Sequence, residues 1–435
     1  MDAEASIICI SFYYRSIMCK MNKYLIPTTV VLLLSACSSD NEDNPLVPVE
    51  SERSVLIYMA AENNLSSFAD TNLADIKQSS KSLKDNQNLI VYVDRRDIKP
   101  YMARVKDGVL VDSVAMEESS SADPAVMENV IRQMRTKYPA KSYGLVLWGH
   151  CTGWLFSNDS IPYAGTRAYG VDLNPQRHWM NMPSMARAIA KGMNQEKLKF
   201  VFGDCCNLNC IEVAYELRNA AEYVIGSPAE IPDPGAPYKL IMSDLFSQSD
   251  NFYQLLIDDY YNHYIKAFKE RPNYYYNLMP GDLEGYSEPL SAIRTSALEE
   301  LAQATANLLS TIPEKLGPEG KLGLENVTFY AWDSDNKLSY DMSQALKKNT
   351  SASDYAVWEN AFKKAVAYKM YSRKWLVSNS TRKLASFMET FDTENAGVVS
   401  MFFPQKSYSS TTPNWNSAIQ QYQWNNPIQW SQYGW

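Results

Sequence analysis

The sequence predicts an α/β protein, a mostly parallel sheet with helices on both faces, followed by a helix-rich C-terminal part. Three observations predict it. Between residues 54 and 245, short apolar runs alternate with segments whose apolar residues recur at helical spacing, as strands joined through crossover helices do. The residues richest in chemistry, His150 and the adjacent Cys205 and Cys206, stand at the ends of two such runs, and parallel sheets bind their ligands at strand carboxyl ends. From about 246 onward helical segments dominate.

The first 36 residues read as a targeting segment. Lys20 and Lys23 precede an apolar run, Leu25 to Leu34, that closes on Leu34-Ser35-Ala36-Cys37. A basic region, a short apolar core and small residues before the cut make a signal peptide rather than a membrane span. Leu-Ser-Ala-Cys resembles a bacterial lipobox, which implies cleavage before Cys37 and a lipid on its sulfur. Met21 is the more usual start, so residues 1–20 read as an upstream extension from a misassigned start codon. The lipidated cysteine and a polar linker occupy 37–53. This places the protein at the bacterial outer membrane, on the cell surface or the periplasmic face.

A core over 54–245 opens with a strand at Val55–Met59. Leu65, Phe68, Leu73 and Ile76 then mark a helix, and Leu89–Val93 the second strand. Residues 101–116 alternate around Asp107-Gly108, a hairpin signal. Asp123-Pro124 starts a helix as N-cap and first-turn proline, with Met127, Val130, Ile131 and Met134 as its buried stripe. Leu145–Trp148 is the third strand and leads to His150; 155–180 reads as a loop, Pro183–Met193 as a helix and Phe200–Phe202 as the fourth strand. Cys205 and Cys206 stand at the handover to a helix beginning near Leu208, and Tyr223–Ile225 is the fifth strand. A C-terminal helical subdomain with added strands occupies 246–435. Its helices are expected at 252–270, 291–310, 340–350 and 354–371, and its strands at Val327–Trp332 and Val398–Phe403. An aromatic, amide-rich tail covers 413–435.

The chain has 435 residues, 46% of them apolar and 21% charged, the balance of a globular protein. A net charge of −8 without a basic tract argues against nucleic acid as a partner. Of seven cysteines, three lie in the first 37 residues; Cys151, Cys205, Cys206 and Cys210 fall in two short stretches. A disulfide framework would spread them over the fold, so this distribution is that of a site.

Of three histidines, His263 lies in a polar, aromatic helix and His178 in a loop, while His150 ends a strand. A strand-end histidine beside a strand-end cysteine supplies a base and a nucleophile. The positive end of the following helix favours the thiolate, and backbone N–H groups of the two turns can form an oxyanion hole. On these grounds alone either cysteine of the pair can be the nucleophile.

Three stretches carry a family resemblance: VLIYMAAENNLS at 55–66, LVLWGHCTGW at 145–154 and DCCNLNCIEVAYEL at 204–217. They resemble VLVYMAADNNLE, LILWNHGSGW and DACLMASLEVAYEL of the clostripain family, caspase-like (clan CD) cysteine peptidases. YVIGSPAEIPDPGAPY at 223–238 and GVVSMFFP at 397–404 are also similar to family segments. The resemblance implies a caspase-like fold and an endopeptidase that cleaves after Arg or Lys through a Cys–His dyad and an acyl-enzyme. Spacing from Asp204 and to Glu212 in the family pattern assigns the nucleophile to Cys206, with His150 as the base. The backbones of Cys151 and Cys206 would form the oxyanion hole. Asp204 is the motif aspartate of the substrate pocket, and Asp233 is preferred to Glu230 for the acid at its base. Relatives mature by cutting a loop after the histidine, which points to Arg167 and Arg177. No cofactor or metal is expected, since the sequence holds no EF-hand pattern or dense carboxylate loop. The partners expected are protein or peptide substrates, with a monomeric enzyme that touches the membrane only through the lipid on Cys37.

Two departures from the family pattern stand out. Cys151 replaces a glycine, which would strain the backbone if that position needed a positive φ. Cys151 can also form a disulfide with Cys205 or Cys206. Asn207-Leu208 replaces Leu-Met. These changes, with the aromatic tail, frame an alternative: a catalytically impaired homologue acting as a surface peptide- or glycan-binding protein.

Overall fold

The computed structural model describes residues 50–156, 168–174, 177–271, 284–312, 322–333, 336–377, 386–389, 396–411 and 414–433. Residues from Pro48 onward form one compact unit. The targeting segment, Cys37 and Arg167 lie outside the described residues.

The strands are β1 (Arg53–Ala61), β2 (Gln87–Arg95), β3 (Tyr101–Lys106), β4 (Val109–Ala115), β5 (Tyr143–Gly149), β6 (Tyr169–Asp172), β7 (His178–Met180), β8 (Leu198–Asp204), β9 (Ala221–Gly226) and β10 (Leu290–Arg294). They continue as β11 (Phe329–Asp333), β12 (Asn336–Asp341), β13 (Val366–Met370), β14 (Lys374–Val377), β15 (Ser386–Glu389) and β16 (Ser400–Met401). The main sheet runs β13-β10-β9-β8-β5-β1-β2-β3-β4. Its centre, β9 through β2, is parallel, and antiparallel strands extend it on both sides. Every residue of β1 and of β5 is buried, which is why these strands read as continuous apolar runs. β4 is an edge strand, mostly exposed.

Helices α1 (Ser66–Ser79), α2 (Pro124–Lys137), α3 (Met182–Gly192), α4 (Ile211–Glu216), α5 (Tyr238–Leu245) and α6 (Phe252–Glu270) link the strands. From β1 the chain steps to β2 on one side, then returns to β5 on the other and continues outward to β8 and β9. Right-handed crossovers therefore put α1 on one face and α3 and α4 on the other. Accordingly α1 packs with α5, and α5 with α6, while α2 and α4 pack with α3. Asp123 caps α2 by accepting from the Ala125 amide, with Pro124 in the first turn.

The structure departs from the sequence reading in five places. The 155–180 stretch contains the short hairpin of β6 and β7, too short to show a period. Residues 291–310 split into buried β10 and helix α7 (Leu298–Leu309), because the apolar Leu290-Ser291-Ala292-Ile293 fits either spacing and pairing with β9 decides it. After α8 (Met342–Asn349), α9 (Ala352–Ala365) gives way to β13, which shows no period of its own and is settled by antiparallel pairing with β10. Within Val398–Phe403 only Ser400–Met401 is strand. Finally, the tail tryptophans Trp415, Trp424 and Trp430 are buried; they pack as core and offer no open aromatic binding face.

Candidate active site

Strand register assembles the site. In the parallel β5–β8 pair, Trp148 lies opposite Asp204. β5 ends at Gly149 and β8 at Asp204, so His150 and Cys206 lie in the turns that follow these two adjacent strand ends. In the β1–β5 pair Ala60 lies opposite Gly149, so the turn after β1 flanks the histidine on its other side. All three turns are at strand carboxyl ends, where the strand order reverses around β1, the usual ligand crevice of an open α/β sheet.

His150 is half-buried. Its Nε2 lies 2.9 Å from Asn64 Oδ1, and its carbonyl accepts from the Gly170 amide at 2.8 Å. The Trp179 ring stands 6.4 Å away between centroids. Gly149 has a φ of +141°, and a Cβ there would meet the Ala60 carbonyl oxygen at 2.9 Å. Cys151 is not among the described residues with positive φ, so the strain anticipated for a side chain there does not arise. It pairs with Tyr169 of β6 as a buried bridge residue. Gly153 is the position that requires glycine: its φ is +66°, and a Cβ would meet the Asn207 carbonyl oxygen at 2.8 Å. The histidine turn thus rests directly on the cysteine turn.

The cysteine turn is tied on every side. Asn207 has a φ of +56°, a conformation that asparagine tolerates better than leucine. Its amide donates to Ala229 O, and the Asn209 amide to Ser227 O. Asn209 Nδ2 donates to Ser291 O and Oγ, and the Ser400 amide donates to Asn209 O. Helix α4 begins only at Ile211 and runs six residues. The helix-end activation of the thiol expected from sequence is therefore corrected, because Cys206 lies five positions before the first helical turn. Cys206 remains partly exposed, with Sγ 4.0 Å from Ile231 O. Burial, then the Glu230 carboxylate, then Cys151 and Asp233 push its thiol well above the ordinary cysteine range. Cys205 and Cys210 are 1% exposed. Burial raises both, and the Cys205 thiol is in hydrogen-bond contact with Cys151.

Asp204 does not face an open pocket. It is 3% exposed; Oδ1 accepts from the Ala236 amide and Oδ2 from the Tyr238 hydroxyl, each at 2.8 Å. Burial pushes its carboxyl up to about 7. Its work is to hold the turn at Gly235, which Tyr264 braces from behind through a hydroxyl donated to Gly235 O. That turn carries exposed Asp233 and half-buried Glu230, both acting on Cys206. The expected backbone donors at Cys151 and Cys206 engage no described backbone carbonyl. Arg177 stacks its guanidinium over Trp179 at 5.8 Å, one ring away from His150. His178 starts β7, and His263 packs edge-on against Tyr264 on α6. The residue that sequence reasoning missed is Asn64. Its signal was the 55–66 motif, read for family likeness and not for a side chain.

A model of the clostripain family matches residues 57–435. No curated protein matches the chain. Among solved structures, one described as a secreted C11 cysteine protease from Bacteroides thetaiotaomicron in complex with an irreversible peptide inhibitor is 28% identical. It superposes with a TM-score of 0.72 over 87% of this chain and 99% of its own. A B. fragilis cysteine protease is 26% identical with a TM-score of 0.50, over 61% of this chain and 99% of its own. An inactive zymogen C11 protease from Parabacteroides distasonis shares the fold at 24% identity and a TM-score of 0.66, over 88% of this chain and 99% of its own.

Proposed function

The chain belongs to the clostripain family of cysteine peptidases, and from that premise we propose that it is an endopeptidase that cleaves after Arg or Lys with Cys206 and His150 as its dyad. The observation that carries the reading is the β5–β8 register, which brings these two strand ends side by side. In the reaction, His150 takes the thiol proton as Cys206 Sγ attacks the scissile carbonyl carbon. The oxyanion is held by the Cys151 and Cys206 amides. His150 then protonates the leaving amine, and water hydrolyses the thioester.

The preference for a basic side chain follows from Glu230 and Asp233. Burial first, and then their charges, push the Cys206 thiol well above the ordinary cysteine range, so a guanidinium or ammonium between them offsets the charge part of that effect and favours the thiolate. Substrate binding and thiol activation are coupled in this way. Asp204 supports the pocket through the loop it anchors. Arg177, stacked beside the site, and Arg167 are the proposed self-processing positions. The enzyme acts as a monomer on proteins or peptides, tethered to the cell envelope by a lipid on Cys37. Fluorogenic peptides ending in Arg or Lys test the activity. Cys206→Ala and His150→Ala should each lose at least about 1,000-fold in kcat/KM. Equal cleavage by wild type and Cys206→Ala would sink the proposal.

A further inference from the structure

We infer that Asn72 is a positioning residue for the substrate: its side-chain amide, oriented by Trp148, fixes the Pro234 carbonyl and so holds the turn that carries Asp233 in place to receive a basic side chain. The inference rests on the peptidase reading for its kinetic consequence, and on geometry alone for the placing of the turn.

The geometry begins on α1. Its buried residues are Ala69, Asn72, Ile76 and Ser79, one stripe at helical spacing. The asparagine in that stripe is 5% exposed, and a buried amide needs a partner at each end. Asn72 has both. Its Oδ1 accepts from the Trp148 indole Nε1 at 2.8 Å, and its Nδ2 donates to Pro234 O at 3.0 Å. An indole N–H only donates and a backbone carbonyl only accepts, so the two partners fix which way the amide faces. Neither an ionised carboxylate nor an apolar side chain of this size can serve both.

The bridge joins the turn to a strand that leads into the site. Trp148 of β5 stands two residues before His150 and lies opposite Asp204 of β8, which stands two before Cys206. Asp204 holds the far end of the same turn through Ala236 and Tyr238. The turn closes on itself where the Gly235 amide donates to Pro232 O at 2.9 Å, enclosing Asp233 and Pro234. The Tyr264 hydroxyl donates to Gly235 O at 2.7 Å. β8 and α6 thus hold residues 235–238, and Asn72 holds Pro234, the residue next to Asp233. Lys239 of α5 also pairs with Asp75 of α1 at 2.6 Å, but at the surface, where ion pairs contribute little. Placement is what the bridge supplies: a carboxylate meets a guanidinium well only when the backbone beneath it is fixed.

The first measurement is hydrogen exchange, read by mass spectrometry on the full chain in a Cys206→Ala background that prevents self-cleavage. Residues 232–238 contain three prolines, so exchange there reports only the Asp233, Gly235, Ala236 and Tyr238 amides. It should be faster in Asn72→Leu, with α2 unchanged. Equal exchange over 232–238, or faster exchange in both segments, would overturn the inference. With Cys206 intact, Asn72→Leu should raise KM for Arg and Lys peptides roughly tenfold, the low end of what a hydrogen bond to a charged group contributes, while kcat stays within about twofold of wild type. In an Asp233→Asn background the same change should add little, since it acts through Asp233. An unmoved KM, a loss confined to kcat, or full additivity with Asp233→Asn contradicts the inference equally. If Asn72→Leu does not fold, Trp148→Phe carries the test: it removes the donor that orients the amide and should move exchange and KM in the same directions, and no movement overturns the inference. If wild type cleaves no peptide, the peptidase reading fails, and the exchange measurement still decides whether Asn72 holds the turn.

Discussion

Cys206 works against its surroundings at rest. Burial and the carboxylates of Glu230 and Asp233 favour its protonated form, and no helix end offsets them, since α4 starts at Ile211. In the proposed reaction, activation then comes from the histidine and from the substrate's own charge. This gives a residue-scale prediction. In Glu230→Gln and Asp233→Asn the midpoint of Cys206 alkylation by iodoacetamide should move to lower pH, because a negative charge that opposed the thiolate is gone. Mass spectrometry across a pH series reads it, and an unmoved or raised midpoint counts against the account. The same variants should bind Arg or Lys peptides more weakly, so a faster thiol would come with a poorer enzyme. At this scale the sequence exposed the proposed pair but not its environment. Family spacing chose Cys206 over Cys205; Cys205 is 1% exposed and Cys206 partly exposed. What the sequence could not expose were contacts between turns far apart in the chain. Asp204 turned out to be taken up by Ala236 and Tyr238, and Asn64 is joined to His150 across 86 residues.

Among the elements, those with a strong period were legible and those decided by pairing were not. β1, β5 and β8 announced themselves as buried apolar runs, and α2 by its cap and stripe. β10 and β13 were hidden inside helical readings, because an edge extension of a sheet is settled by its neighbour and not by its own pattern. The junctions between elements also hold buried acids. Asp204 closes β8, Glu212 of α4 accepts from the Phe402 amide, and Asp94 of β2 lies by Asp172 of β6 around the Ser121 amide. Burial pushes these three carboxyls up to about 7, 8 and 8; for Asp94 the neighbouring Asp172 adds to the effect. Each folded pKa is raised above its unfolded value near 4, so the folded chain retains protons that the unfolded chain has released. Stability should therefore be greatest below about pH 4 as far as these groups decide it, and fall as pH rises to about 8. Urea unfolding of the full-length Cys206→Ala chain at pH 5 and pH 8.5 measures this. A lower midpoint at pH 8.5, with a smaller drop in Glu212→Gln, is expected; a midpoint that stays level or rises contradicts it.

On the scale of the whole molecule, the C-terminal part is a structural half of the site. Ser400 and Phe402 bond to Asn209 and Glu212 beneath the cysteine turn. Trp154, just past the histidine, packs on Phe402 and Trp415, and Trp424 packs on Tyr215 of α4. The family match likewise runs to residue 435. From sequence the tail was only a composition, since aromatic residues without a period do not say whether they face water or core. The sheet order was legible only as an alternating pattern; the reversal around β1, which defines the crevice, emerged from pairing. The central claim is that this architecture leaves one cysteine reactive and aims it at basic substrates. Mass spectrometry of the full chain after treatment with a lysine or arginine chloromethylketone tests it most directly. The account predicts a single label on Cys206, lost in His150→Ala and slowed in Glu230→Gln. A label on Cys151, Cys205 or Cys210, or no label on Cys206, would contradict it.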